Sequence, residues 1–330
     1  MIGAIAGAAP ELATTPRAVL YEEAESRLYR FAPPGAGAES GRPAVLIVPS
    51  LINRWYVVDL RPGASLVAGL LERGLDVYCL DWGAAGDEDR DTSWDDLMRR
   101  LARAVRRSLA AAGRRSLAVV GYCMGGTLAA IQTALEPAPV AALVDLLGPI
   151  DFAAGGQLAR AVDARWFDVE AIAGAGNVTP VQMQSGFSML RPTGQVAKWI
   201  GLIDRIDDEK HREAFAALET WASDNIPFPA AAYRTYIGQL YQENALIRGE
   251  HVALGRRVSL DHIRCPVLCV VAERDTICPP AAATALLDRV GSVDRTLLTV
   301  QGGHVGAVVG SRAPRELYAP LADWLLQRLA

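Results

Sequence analysis

Residues 117–130 read Leu-Ala-Val-Val-Gly-Tyr-Cys-Met-Gly-Gly-Thr-Leu-Ala-Ala, an apolar run that breaks at a thiol flanked by glycines and resumes as a helix former. The spacing Gly121-x-Cys123-x-Gly125 fits a sharp strand-to-helix turn that presents its central side chain for attack. The backbone of such a turn is strained, so the positions two before and two after the centre must be small for strand and helix to approach. A helix starting just after Cys123 aims the positive end of its dipole at the sulfur and favours thiolate over thiol. Free cysteines are commonly inert core residues. Here the preceding strand, the paired Gly125 and Gly126 and the following helix point instead to a nucleophile.

A nucleophilic thiol needs a base within hydrogen-bond reach and a third group to orient that base. Four histidines are available. His211 sits in a charged helical segment, His251 beside Arg248-Gly-Glu, and His262 ahead of a strand at the wrong edge. His304 follows the strand 297–300 and the turn Gln301-Gly-Gly, on the carboxyl edge where open α/β sheets hold their sites. Asp275, in Ala-Glu-Arg-Asp-Thr-Ile-Cys-Pro-Pro, and Asp151, in Gly-Pro-Ile-Asp-Phe, compete to orient it. The chain order Cys123, Asp275, His304 matches the nucleophile, acid, histidine order of α/β-hydrolases and favours Asp275, with Glu273 or Asp151 as fallback. The oxyanion formed on attack needs fixed donors. The Met124 backbone N–H is the first, and the Leu51 N–H, from Pro49-Ser-Leu-Ile-Asn, is the second.

The elements that must place these groups are readable as alternation. Continuous apolar runs at 44–48, 75–80, 117–120, 141–147, 267–272 and 296–300 read as buried parallel strands. Helical stretches at 63–73, 93–112, 126–135, 281–290 and 315–329 lie between them. This predicts an α/β-hydrolase fold, a mostly parallel, doubly wound sheet. A hairpin-like segment, 19–31, and a turn-rich link, 33–43, come first, so residues 1–43 read as an N-terminal segment and link. Residues 44–150 and 262–330 form the two parts of the core. Between them 151–261 turns helical and aromatic, holding Trp166, Phe167, Trp199, Trp221, Phe228, Tyr233, Tyr236 and Tyr241, and reads as an inserted helical cap.

With 330 residues, 51% of them hydrophobic, the chain can bury a large core. A net charge of -4 offers no basic field for nucleic acid or an anionic membrane. No apolar run reaches the ~18 residues of a membrane span. The start, Met1 to Pro16, has no Lys or Arg and so lacks a signal peptide's charged region. Five cysteines, Cys79, Cys123, Cys265, Cys269 and Cys278, are an odd set with two inside predicted strands, which suits a reduced cytoplasm. Cys265 and Cys269 have no further ligands at metal spacing, so neither metal nor cofactor is expected.

The chain resembles the catalytic subunit of the polyhydroxyalkanoate (poly-3-hydroxybutyrate) synthases, in particular the short two-component, class III kind. The resemblance runs through Val48-Pro-Ser-Leu-Ile-Asn-Arg-Trp-Tyr-Val-Val-Asp-Leu60, Leu80-Asp-Trp-Gly83, Gly121-Tyr-Cys-Met-Gly-Gly-Thr127, Pro149-Ile-Asp-Phe152, Leu240-Tyr-Gln-Glu-Asn244, Cys278-Pro-Pro280 and Gly302-Gly-His-Val-Gly306, covering roughly residues 15–329. It implies polymerisation of 3-hydroxyacyl-CoA, with 3-hydroxybutyryl-CoA as the short-chain case, through an acyl-Cys123 intermediate. His304 would take the thiol proton, and Asp275 would assist and, in family proposals, help activate the attacking 3-hydroxyl. It also implies a homodimer at the surface of polymer granules. The long N-terminal domain of single-component synthases is missing, which implies a second, smaller subunit. Two positions depart from the family pattern: Thr276 stands where histidine usually follows the aspartate, which bears on its hydrogen bonding, and Ser50 replaces a proline. Rival readings are a thiol hydrolase with the same triad, either an intracellular polyester depolymerase or a thioesterase, and a noncatalytic module that binds an acyl ligand or a granule.

Overall fold

The computed structural model describes residues 10–31, 41–190 and 207–329. Its centre is an eight-stranded sheet. The strands are β1 (Arg17–Glu23), β2 (Ser26–Phe31), β3 (Ala44–Val48), β4 (Asp76–Asp81), β5 (Leu117–Tyr122), β6 (Val140–Leu146), β7 (Val267–Ala272) and β8 (Arg295–Val300). They lie in the order β1-β2-β4-β3-β5-β6-β7-β8. β1 pairs antiparallel with β2, and β2 with β4, whereas all pairs from β4 to β8 are parallel. Every residue of β3, β4, β5 and β7 is buried, because helices cover both faces of a parallel sheet.

Those helices are α1 (Leu66–Glu72), α2 (Trp94–Ala112), α3 (Met124–Leu135), α4 (Pro280–Arg289) and α5 (Ala319–Leu329). Alternation along β3 feeds two cores: Leu46 and Val48 pack with α2 and α3, and Val45 and Ile47 with α1 and α5. Ser93 starts α2 by accepting from the Asp96 N–H while Asp96 reaches back to the Ser93 N–H, and Gly113 ends it at φ 63°. Its apolar positions Trp94, Leu97, Met98, Leu101, Ala104 and Val105 recur at helical spacing and are buried.

Three expectations shift. The helix expected from 63 starts at Leu66, where the Ser65 hydroxyl accepts from the Ala68 N–H at 2.9 Å. The stretch 315–329 divides into a π-helical turn, Pro314–Tyr318, and α5. β8 is not a fully buried strand: it lies at the sheet edge with alternate residues exposed, Leu297 at 49%. One face of β8 is covered by α5, whose Trp324 indole donates to the Thr296 hydroxyl at 3.0 Å; on the other, Arg295 reaches the Leu287 carbonyl of α4 at 2.9 Å while Leu297 faces solvent. Residues 33–40 of the link, Met1 to Ala9 and Trp199 lie outside the described residues.

Between β6 and β7 the chain runs through helices Gly156–Ala161, Val169–Ala173, Pro180–Leu190, Glu209–Ser223 and Ala230–Arg234, then a π-helix, Thr235–Gln242. This layer is fastened to the loop after β3. The Trp221 indole donates to the Arg54 carbonyl at 2.9 Å, and Asp224 accepts from Arg54 and from the Tyr56 hydroxyl at 3.1 and 2.8 Å. Asn244 fastens its other end, donating to Asp151 at 2.8 Å and accepting from the Phe152 N–H at 2.9 Å.

Candidate active site

Cys123 occupies the turn between β5 and α3 at φ 56°, ψ -128°, a conformation that L-residues adopt only when their surroundings enforce it. The glycines are what make the turn fit. A Cβ on Gly121 would lie 2.3 Å from the Gly125 carbonyl oxygen, and one on Gly125 would lie 1.9 Å from that of Val48. The Cys123 N–H donates to Leu146 O at 2.9 Å, pinning the turn to β6. Met124 is the first residue of α3. Leu51 is buried in the loop after β3, where the Ser50 hydroxyl accepts from the Ile52 N–H at 3.2 Å.

His304 and Asp275 meet at this turn. The His304 Nδ1 lies 2.7 Å from Asp275 Oδ2, both side chains being buried. The other carboxylate oxygen accepts from the Ile277 and Cys278 N–H groups at 2.8 and 2.9 Å. With donors held at its other oxygen, Asp275 fixes the imidazole with its proton on Nδ1. The His304 Nε2 makes no hydrogen bond among the described residues, and the imidazole lies near enough to the Cys123 sulfur to feel its charge. Burial by itself would lower His304, but the Cys123 charge, the hydrogen bond to Asp275, the nearness of the Cys123 sulfur and the Asp275 charge together lift it to about 10. Tyr122 stacks on the imidazole at 5.5 Å between centroids.

The other sequence candidates go elsewhere. Asp151 caps a 3₁₀ turn and holds Asn244, and Glu273 is exposed. His211 lies in the first turn of Glu209–Ser223 and His262 in the turn Leu260–His262. His251 is fully buried against Trp94, without a partner for either ring nitrogen among the described residues, and burial lowers it to about 4.

Sequence reasoning passed over Asp145. It lies within β6 and is fully buried, and neither oxygen has a well-formed partner among the described residues. A Cβ on either Gly126 or Gly148 would lie 2.1 Å from its Oδ1. Burial drives this carboxyl well above its ordinary range; the Gly148 N–H draws it down only in part and the Cys123 charge adds to the rise. Its setting in an apolar strand hid it.

A cavity of about 240 Å³ opens at Cys123, larger than the ~150 Å³ cavity that accepts a benzene ring. Its walls are mainly apolar, from Ile52 below and from Leu158, Val162, Ile172, Val178 and Met183 of the cap. Such a space suits an acyl chain on the sulfur and excludes bulk water. No group of three or more His, Cys, Asp or Glu side chains able to hold a metal occurs among the described residues.

Comparison with known proteins accords with this geometry. Residues 43–310 match the alpha/beta hydrolase fold family, and residues 7–70 match the N-terminal family of poly-beta-hydroxybutyrate polymerase (PhaC). A poly(3-hydroxyalkanoate) polymerase subunit PhaC of Synechocystis sp. is 34% identical, over 95% of this chain and 85% of its own. The corresponding subunit of Allochromatium vinosum is 32% identical, over 95% and 89%. That of Haloferax mediterranei is 33% identical over 95% of this chain, which spans 64% of that longer protein. Among solved structures, Est1E of Butyrivibrio proteoclasticus superposes with a TM-score of 0.58 at 13% identity, over 95% of this chain and 98% of its own. A hydrolase of Pseudomonas aeruginosa gives 0.57 at 16%, over 96% and 99%, and both likenesses speak to the fold alone. The chain therefore belongs to the poly(3-hydroxyalkanoate) polymerase PhaC family, on the α/β-hydrolase fold.

Proposed function

We propose that this chain is the catalytic subunit of a poly(3-hydroxyalkanoate) polymerase that grows polyester from 3-hydroxyacyl-CoA through an acyl-Cys123 intermediate. The observation that carries the reading is the buried pair Asp275 and His304 beside a part-exposed Cys123 at the mouth of an apolar cavity, in a member of the PhaC family. The Cys123 proton goes to His304 Nε2, the sulfur attacks the thioester carbon, and the CoA thiolate leaves, taking that proton. The oxyanion is held by the Met124 and Leu51 N–H groups, each such donor being worth about 3 kcal/mol of barrier. The 3-hydroxyl of a further unit then loses its proton to His304 and attacks the acyl carbon, the carbon–sulfur bond breaks, and His304 returns the proton to the leaving Cys123 sulfur, freeing the thiol and lengthening the ester. Because both Asp275 oxygens are engaged and its side chain is fully buried, its role is to position His304 rather than to touch the 3-hydroxyl.

Growth of polymer requires that hydroxyl attack outrun water, and the cap's apolar walls serve that end. Among the described residues no helix is long and apolar enough to cross a membrane. Work at a granule surface, as a homodimer with a second, smaller subunit, completes the proposal. Purified protein given 3-hydroxybutyryl-CoA tests it: CoA release with insoluble polymer is expected. CoA release with only free 3-hydroxybutyrate would make the protein a thiol hydrolase, and a Cys123 that resists iodoacetamide and releases no CoA would make it a binding module.

A further inference from the structure

The π-helix Thr235–Gln242 is the least ordinary element of the cap, since such helices are rare and concentrate at functional sites. In it hydrogen bonds run from i to i+5, so residues five apart come to the same side of the helix. Tyr236 and Tyr241 stand in that relation and both line the cavity with Cys123. In an α-helix the same two positions would lie roughly 140° apart around the axis. The rings cross at 86° with centroids 5.3 Å apart.

Both rings are held from behind. Trp94 stacks on Tyr236 at 6.1 Å and 11°, Phe228 stacks at 5.9 Å, and Phe152 meets Tyr241 edge-on at 4.7 Å. Both residues line the cavity that Cys123 lines, and burial raises both hydroxyls far above the ordinary phenol range, so they face it as neutral phenols. Each phenol carries one O–H donor and an oxygen that also accepts. Two such rings in contact on one cavity wall suit a ligand group that donates and accepts at once, which is what an alcohol does. An acyl chain lacking that alcohol leaves an O–H unpaired in an apolar cavity, and such vacancies are what make hydrogen-bonding sites selective.

We propose that the Tyr236–Tyr241 pair binds the 3-hydroxyl of the acyl unit at Cys123 and so selects 3-hydroxyacyl thioesters over plain acyl thioesters. This assignment rests on the polymerase reading above. The test compares first-turnover CoA release from 3-hydroxybutyryl-CoA and from butyryl-CoA in the wild type, Tyr236→Phe and Tyr241→Phe. The wild type is expected to prefer the hydroxylated substrate, and each variant to lose that preference by about tenfold or more. Equal slowing on both substrates, or an unchanged preference, overturns the assignment, since a merely structural hydroxyl would not distinguish the two chains. Where a variant no longer acylates, calorimetric titration with the two analogues carrying CH2 in place of the thioester sulfur reads the same preference and decides in the same way. A wild type that releases CoA from neither substrate overturns the polymerase reading, whereas one that acylates both equally overturns the tyrosine assignment alone.

Discussion

Replacing Asp275 by Asn changes one atom and inverts the logic of the site. In the native carboxylate, Oδ1 takes the Ile277 and Cys278 N–H groups and Oδ2 faces the His304 Nδ1 at 2.7 Å. The two N–H groups force the amide of an asparagine to keep its oxygen where they point, so its NH2 must face Nδ1. Two donors in contact repel, and the imidazole answers by moving its proton to Nε2. That tautomer cannot accept the thiol proton. The same exchange in the serine-protease triad, a worked case for another protein, costs about 10⁴ in kcat. A thiol gives up its proton more readily than a serine hydroxyl, so the expected loss here is smaller, about 10² to 10³ in the first-turnover rate, or about 3 to 4 kcal/mol. His304 should fall from about 10 as well, because the Asp275 hydrogen bond and charge are among the causes that hold it up. Rapid-quench measurement of CoA release from 3-hydroxybutyryl-CoA reads the rate, and nitrogen-15 NMR of the imidazole reads the tautomer. A folded Asp275→Asn protein that acylates within a factor of about three of wild type, a loss of under 1 kcal/mol, would refute the reasoning.

Gly125→Ala should destabilise the protein by about 1 to 3 kcal/mol, because its Cβ would fall 1.9 Å from the Val48 carbonyl oxygen; an unchanged Tm would contradict the account of the turn. The His304 shift also makes a statement about stability. A group raised in the folded state contributes fully below its unfolded value and loses that contribution as pH rises through the folded one, so Tm should decline from pH 7 toward pH 10 in the wild type and less in Cys123→Ala, which lacks two of the raising causes. Asp145 works in the opposite sense: raised by burial, it lowers stability as pH climbs above the ordinary carboxyl value, so Asp145→Asn should raise Tm more at pH 8 than at pH 5, and melting curves at the two pH values decide it. Asn244→Ala removes the partners of Asp151 and of the Phe152 N–H, and should cost about 1 to 3 kcal/mol, visible as a lower denaturation midpoint.

How much of this could be read from the chain depends on what each residue's signal was. Cys123 was legible because the strained turn demands glycines at fixed offsets, and Gly121 and Gly125 meet backbone oxygens when given a Cβ. His304 emerged by elimination among four histidines, and the structure sets it against Asp275 rather than Asp151 or Glu273. The sheet was legible through its buried apolar runs, but β8 misled because its place at the sheet edge leaves Leu297 in solvent despite an apolar sequence. Tyr236 and Tyr241 were noticed only as cap aromatics. Their spacing of five matches neither the helical nor the strand period, so their common face depends on a π-helix that no periodicity announces. Asp145 was hidden for a related reason: its slot is made by Gly126 and Gly148, which meet it only in the folded chain.

The central claim is that the Cys123 sulfur carries the acyl group. Mass spectrometry of peptides from protein quenched during turnover of 3-hydroxybutyryl-CoA tests it most directly. The account predicts one or more 3-hydroxybutyryl units on the peptide containing Cys123, removed by hydroxylamine, and neither adduct nor polymer from Cys123→Ala. Polymer made by Cys123→Ala, or an adduct on any other residue in its place, would contradict it.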